Sequence, residues 1–521
     1  MTITEWFLFF LILQVIHFFG TWRLYIKAGR RAWEAAIPVY NAVVLMKIIN
    51  RPWWWVILIF IPIVNLIMIP VIWVETIRSF GRNSTTDTVL VLITLGFYIY
   101  YINYVVDVQY IEERSLKPRT SLGEWVSSIL FAVVAATIVH TYIMQPFTIP
   151  TSSLEKTLLV GDFLFVSKFH YGARTPMTTI AFPMVHDTIP VVKTKSYLNK
   201  PQLPYFRFPG FEEIERNDIV VFNWPVDTVR KFRDNSGIRY NKPIDKKSNY
   251  VKRTLGLPGD SLEIIAGKVY INGEKINLPD RAKPQYSYIG TTKGQGFDPR
   301  VLYELYDITD GFSYDPETNQ FAVYALTEEA YNNFKNHPNV ASLERFVIPE
   351  GEKEGRLFPN NGKMNWNQDF MGPIYIPREG ATVPIDINSV AFYKQIIENY
   401  EGREMGLDNK ITTNGTTVLL NGEPLTSYTF KQDYYWMMGD NRHNSEDSRY
   451  WGYVPENHVV GKPVFIWMSL DSNASGLDKI RWDRMFTTVS GEGEPKSLLP
   501  YFIAIVVVWV GISYYRKSKK K

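Results

Sequence analysis

Three short stretches hold residues whose types suit peptide-bond chemistry. The first, Ile149-Pro150-Thr151-Ser152-Ser153-Leu154-Glu155-Lys156-Thr157-Leu158-Leu159-Val160-Gly161-Asp162, places three consecutive hydroxyls at the end of an apolar run. Alone, such a cluster is more often a helix cap or a turn than a nucleophile. The second, Tyr250-Val251-Lys252-Arg253-Thr254-Leu255-Gly256-Leu257-Pro258-Gly259-Asp260, sets one amine on a short strand that runs into a Pro-Gly-Asp turn. Its bland reading is an exposed lysine that keeps an edge strand from aggregating. The third, Gly439 to Pro455, contains Asp440-Asn441-Arg442-His443-Asn444-Ser445-Glu446-Asp447-Ser448-Arg449, dense enough in polar groups to knit loops together. The chain has no cysteine, so disulfides, thiolate zinc sites and thiol nucleophiles are excluded together. Hydroxyl, amine, imidazole and carboxylate chemistry remain.

The elements that must position these groups fall into two unlike regions. Residues 1 to about 147 are crowded with apolar runs, whereas 148 to 497 have the composition of a water-exposed domain. Trp6 to Tyr25, Trp53 to Thr76, Val89 to Val106, Trp125 to Phe147 and Leu498 to Tyr515 approach or reach the roughly 20 residues needed to cross hydrocarbon. The expected total is four to six spans. The first run is long and lacks a small-residue cleavage site, which reads as a retained anchor. Pro62, Asn65 and Pro70 leave a kink or a hairpin open within Trp53 to Thr76. Arg114, Lys117 and Arg119 precede one span, and Arg516, Lys517, Lys519, Lys520 and Lys521 follow the last. The positive-inside tendency puts both groups in the cytoplasm and the large polar region outside. The expected location is therefore the inner (cytoplasmic) membrane, multi-pass, with the catalytic domain extracytoplasmic and the C-terminus cytoplasmic.

The polar region reads as mostly β. Phe163 to Val166, Ile219 to Phe222, Leu262 to Ile265, Val269 to Ile271, Val418 to Leu420 and Val464 to Trp467 are short β-branched and aromatic runs. Asn272-Gly273 and Asn421-Gly422 are hairpin turn signals, and one helix is expected near Ser389 to Tyr400. The fold class expected is a membrane-anchored, mostly-β catalytic domain with an antiparallel barrel-like core, a large β-rich insertion and helical transmembrane regions at both ends. Its divisions are a multi-span module at 1–120, an anchor at 121–147, core at 148–282, insertion at 283–415, core again at 416–497, and a helix with basic tail at 498–521. A net charge of +4 without a basic stripe disfavours nucleic acid as a partner.

Ser153 and Lys156 have the Ser-x-x-Lys spacing of β-lactam enzymes, but the Ser-Asp-Asn and Lys-Thr-Gly partners of that family are absent. Taken in order, the three stretches resemble the type I signal peptidases, and Asn217 to Phe222 with Trp224-Pro225 resembles that family's remaining strand motif. The resemblance touches 148 to 470. It implies Ser153 as nucleophile, Lys252 as general base, Ser445 as the hydroxyl that orients the lysine, and Thr151 with Ser153 at the oxyanion hole. It further implies Asp447 and Arg449 as a structural pair, and small substrate residues at the first and third positions before the cut. Two positions depart from the family pattern. Leu154 stands where methionine is usual and Lys156 where proline is usual, which touches substrate detail more than proton chemistry. Residues 1 to about 120 resemble an uncharacterised multi-span module sometimes joined to such enzymes.

For this chemistry a free lysine, with a pKa near 10.4, must be depressed by about 3 units, roughly 4 kcal/mol of differential solvation. Leu154, Leu158 and Val251 are the expected apolar walls. With Ile149 and Tyr250 they make the expected substrate pocket, where an extended peptide adds to a strand edge near Ile149 and Val251. No histidine is required, and His170 and His443 read as surface residues. No cofactor and no metal are expected. The expected partners are preprotein signal peptides, membrane lipid and the secretion machinery. Another Ser/Lys processing protease, or a catalytically silent scaffold that binds preproteins, is the alternative.

Overall fold

The computed structural model describes residues 2–118, 120–229 and 236–519; Arg119, Lys520 and Lys521, counted above as basic flanks, lie outside the described residues. Chain contacts divide the molecule into two units, 1–143 with 174–208, and 144–173 with 209–521.

In the first unit, Ile3–Lys27 is a continuous apolar helix that begins with a reciprocal cap. Thr2 Oγ1 accepts from the Glu5 amide, and the Glu5 carboxylate accepts from the Thr2 amide at 2.8 Å. Ser121–Ile143 is the second helix long and apolar enough to span a membrane. The Trp53 to Thr76 run is not one span. It divides into Trp55–Phe60 and Asn65–Ser79, parted where Pro62 lacks a donor and Ile63 adopts φ 69°. Thr85–Ile93 and Tyr98–Tyr104 are bent by 116°. At that bend Gly96 has φ 87° and lies against the Trp73 ring, where a β-carbon would collide. With Leu499–Ser518 in the second unit, the described chain has three candidate spans, or four if the bent pair is one. The expected four to six therefore meets the structure only at its lower limit, because apolar length was counted without the backbone breaks.

Glu75, nearly buried, pairs with Arg51 at 2.8 Å and Arg114 at 2.5 Å. The 174–208 segment belongs to this same unit. The Trp6 indole donates to the Gln202 carbonyl at 2.9 Å, and the Phe208 ring meets Tyr142 edge-on at 6.2 Å.

In the second unit, one curled, barrel-like sheet carries the motifs. Its strands are β1 (Met144–Thr148), β2 (Asp162–Ser167), β3 (Ile219–Asn223), β4 (Asn249–Gly256), β5 (Tyr434–Met438), β6 (Val454–Pro455), β7 (Val459–Ser469) and β8 (Thr487–Thr488). The order is β1-β2-β7-β3-β4-β5-β6, with β8 on β7, and all pairings are antiparallel. Every residue of β3 and β5 is buried, as expected for short unbroken apolar runs with both faces covered. Register shifts between β2 and β7 supply the local bends that curl the sheet.

Both Asn-Gly pairs form two-residue hairpins with positive φ at each position, 52° and 85° at Asn272-Gly273 and 54° and 92° at Asn421-Gly422. The helix expected at 389–400 is present as Val390–Gln395 running into Ile396–Tyr400. Between 286 and 345 a separate four-stranded sheet and two short helices enclose their own core of Phe321, Val323, Leu326, Phe334 and Leu343. Met371–Tyr375 instead pairs with Ser261–Ile265, and residues up to Phe430 pack around Trp436.

Candidate active site

Beyond β1 the chain makes a loop closed at its base, since the Ile149 amide donates to Asp162 O at 2.9 Å and the Gly161 amide to Ile149 O at 3.0 Å. Inside it, Ser152–Leu154 is a single tight turn, with Ser153 7% exposed. Leu154 and Leu158 anchor the turn in a cluster with Ile149, Leu164, Ile219 and Ile466, against which Val251 packs. That packing sets Ser153 beside β4. Among the described residues, neither Thr151 Oγ1 nor Ser153 Oγ has a hydrogen-bond partner. Burial pushes the neighbouring Glu155 carboxyl up to about 7.

Lys252 sits in the interior of β4, opposite Val220 of β3, and is 3% exposed. Its amine lies 5.9 Å from the Tyr250 ring centroid and makes no hydrogen bond or ion pair with any described residue. Two influences compete on it. Asp447, Glu446 and Asp440 favour the ammonium, while burial, aided by Arg449, favours the free amine. Burial is the largest, and the pKa falls to about 8.

The loop after β5 joins the two groups. Met438 pairs with Arg253, so Gly439 follows on at the level of Lys252. A β-carbon at Gly439 would overlap the Ser445 hydroxyl and the Ser153 carbonyl, which shows how closely Ser445 and the Ser153 turn converge there. Ser445 Oγ is buried and lacks a partner among the described residues. A buried hydroxyl without a partner is costly, and a functional role is one reason a fold keeps it.

Asp447 accepts from the Gly439 amide at 3.0 Å and from Arg449 at 2.9 and 2.8 Å. Arg449 also donates to Arg442 O at 2.6 Å, and its charge holds the buried Asp447 carboxyl below its ordinary range. The expected structural pair is thus in contact.

A second buried pair escaped the sequence reading. Arg253 grips Asp440 with two bonds of 2.8 and 2.6 Å, and Thr157 Oγ1 donates to the same carboxylate at 2.7 Å. Both residues stand inside the quoted motifs, so their adjacency to Lys252 and Asn441 was the available signal. His443 is not a surface residue. Its Nδ1 accepts from the Ser287 amide at 2.9 Å, which leaves Nε2 to donate to Asp369 at 3.1 Å. His170 bonds to Ser167 and stacks on Phe169.

Of the expected pocket residues, Ile149, Leu154 and Leu158 are core members, with Val251 packed against them. Tyr250 stacks on Trp224 at 5.1 Å and meets Trp451 edge-on at 5.5 Å. Among the described residues, no group of three or more His, Asp or Glu side chains could hold a metal ion.

A family model described as signal peptidase, peptidase S26, matches residues 122–351 and 377–468. A family of unknown function, DUF5684, matches residues 33–113. Signal peptidase I of Buchnera aphidicola subsp. Acyrthosiphon pisum is 27% identical over 357 residues, 68% of this chain and 78% of its own. Signal peptidase I of Haemophilus influenzae is 23% identical over 387 residues, 73% of this chain and 79% of its own. That of Helicobacter pylori is 24% identical over 390 residues, covering 72% and 96%.

Proposed function

The chain belongs to the signal peptidase family, peptidase S26, and from that premise we propose that Ser153 and Lys252 carry its serine endopeptidase chemistry on preprotein signal peptides. The observation that carries this assignment is the buried amine of Lys252, without a salt-bridge partner among the described residues, beside the Ser153 turn and the unsatisfied Ser445 hydroxyl.

In this reading, the neutral Lys252 amine takes the Ser153 hydroxyl proton as Oγ attacks the scissile carbonyl. The tetrahedral oxyanion is met by the Ser153 N–H and the Thr151 hydroxyl, and one such donor is commonly worth about 2.7 to 4 kcal/mol. The Lys252 ammonium then gives its proton to the departing amine. Water, activated by the same amine, hydrolyses the acyl-enzyme. Ser445 Oγ orients the amine, and Asp447 with Arg449 fixes the loop that presents Ser445.

The substrate enters as an extended strand between β1, which is terminal in the sheet, and the stretch of β4 before Arg253, where pairing with β5 ends. Tyr250 and Val251, both partly exposed, shape the walls, and the buried Ile149, Leu154 and Leu158 back them from the core. We assign the sheet to the outer face of the cytoplasmic membrane. Arg114 and Lys117 precede the 121–143 helix, and β1 begins just after it. Within the first unit, the 174–208 segment touches both Trp6 and Tyr142, which supports assigning the N-terminal end of Ile3–Lys27 to the side of the membrane on which the 121–143 helix ends.

The test is cleavage of a preprotein with a small-x-small cut site by the purified full-length protein, beside Ser153→Ala and Lys252→Ala. Both variants are expected to fold and to lose cleavage. Turnover surviving in either removes that residue from its role.

A further inference from the structure

We propose that the 307–310 loop of the inserted region holds the nucleophile turn in its working position, with Asp310 as a positioning residue; this rests on Ser153 being the nucleophile. The turn needs outside support. Lys156, three residues after Ser153, adopts φ 69°, a left-handed conformation that costs a non-glycine residue on the order of 1 to 3 kcal/mol and persists only where its surroundings hold it. A proline ring could not take that angle at all. One contact to this residue comes from the inserted region, where Asp307 pairs with the Lys156 ammonium at 2.6 Å.

The residue just before the nucleophile is held through two amides that share one carboxylate. Asn441 Nδ2 donates to Ser152 O at 3.2 Å and to Asp310 Oδ2 at 2.5 Å. Asn444 Nδ2 donates to Ser152 Oγ at 3.2 Å and to the same Asp310 oxygen at 3.2 Å. A carboxamide nitrogen has two protons in a fixed plane, so the bond that directs one directs the other. A carboxylate acceptor makes that bond the stronger of its kind. Asn441 Oδ1 is buried and unpartnered among the described residues, so the acceptor end of this amide does nothing to fix its rotation. The loop is itself anchored. Asp307 ends the Pro299–Tyr306 helix, and Ile308, 7% exposed, is packed in the core of the inserted sheet. Gln285 adds a parallel connection by donating to Glu155 O at 2.8 Å while its backbone bonds to Asp440 and Arg442.

Each link sets position and none touches the scissile bond. A misplacement of about 1 Å at a reacting group can cost 10²-fold in rate, so loosening the turn should act on kcat.

The experiment compares wild type, Asp310→Ala and Asp310→Asn as purified full-length proteins on one preprotein, with Ser153→Ala alongside. Asp310→Ala is expected to lower kcat about 30-fold with KM within about twofold and the thermal midpoint unchanged, the pattern of a group that acts on the transition state alone. Asp310→Asn, which keeps one acceptor oxygen and the same volume, should fall between the two and serves as the reading if the alanine variant does not fold. Wild-type kcat in both variants overturns the proposal. So does a loss in which KM and the thermal midpoint move together with kcat. Turnover in Ser153→Ala would instead refute the nucleophile, while a dead Ser153→Ala beside a fully active Asp310→Ala refutes the positioning role alone.

Discussion

Lys252 shows one residue's environment deciding between two protonation states. Three carboxylates act to keep its charge, yet desolvation is the larger influence and leaves the pKa at about 8. The free-amine fraction grows tenfold per pH unit below that value, so kcat/KM for preprotein cleavage should climb from pH 6 and level off above about 8. A flat profile across that range removes Lys252 as the base. The same shift acts on stability with a definite sign. Below pH 8 both folded and unfolded chains carry the ammonium, and the folded state bears the full burial cost of roughly 3 kcal/mol. Between about 8 and 10.5 the folded chain has lost the proton while the unfolded chain still binds it, so stability rises with pH there. Lys252→Met should therefore raise the unfolding midpoint at pH 7, with a gain that shrinks towards pH 10.

At the scale of elements, the loop after β5 is held to β4 by a buried ion pair as well as by strand pairing. Arg253 and Asp440 are both nearly inaccessible, and Arg253 keeps the Asp440 carboxyl below its usual range despite burial. Removing one partner leaves a charge without compensation in a dry site. Arg253→Met should cost about 3 to 5 kcal/mol in a urea titration of the detergent-solubilised protein. A loss below about 1 kcal/mol would mean that water or another donor reaches Asp440. The membrane-side elements obey a different constraint. Pro62 and Gly96 interrupt helices that apolar length alone would carry across a bilayer. Within Asn65–Ser79, Glu75 pairs with Arg51 and Arg114 from the stretches that flank these helices. Charged groups in such a module are expensive and come paired.

For the whole molecule, the proposed topology gives each end a side that can be tested. If Thr2 and the catalytic sheet face outward and the C-terminal basic residues face the cytoplasm, single cysteines report it cleanly, because the natural chain has none. Thr2→Cys and Asn473→Cys should react with a membrane-impermeant maleimide in intact cells, and Lys519→Cys only after lysis. Protection of Thr2→Cys while Asn473→Cys reacts would reverse the N-terminal half of this assignment.

What the sequence alone determined is local. The three motif stretches, the apolar runs with their basic flanks, the two Asn-Gly hairpins and the 389–400 helix each depend on neighbours within about a dozen residues, and short-range geometry is written in residue order. Only the tertiary structure decided that Arg253 meets Asp440 across 187 positions, that Asp310 shares its carboxylate between Asn441 and Asn444, that His443 is buried between Ser287 and Asp369, and that 174–208 packs with the N-terminal helices. Those contacts follow from strand register and from where an insertion folds back, which are settled by burial over the whole chain and leave no periodic trace in it.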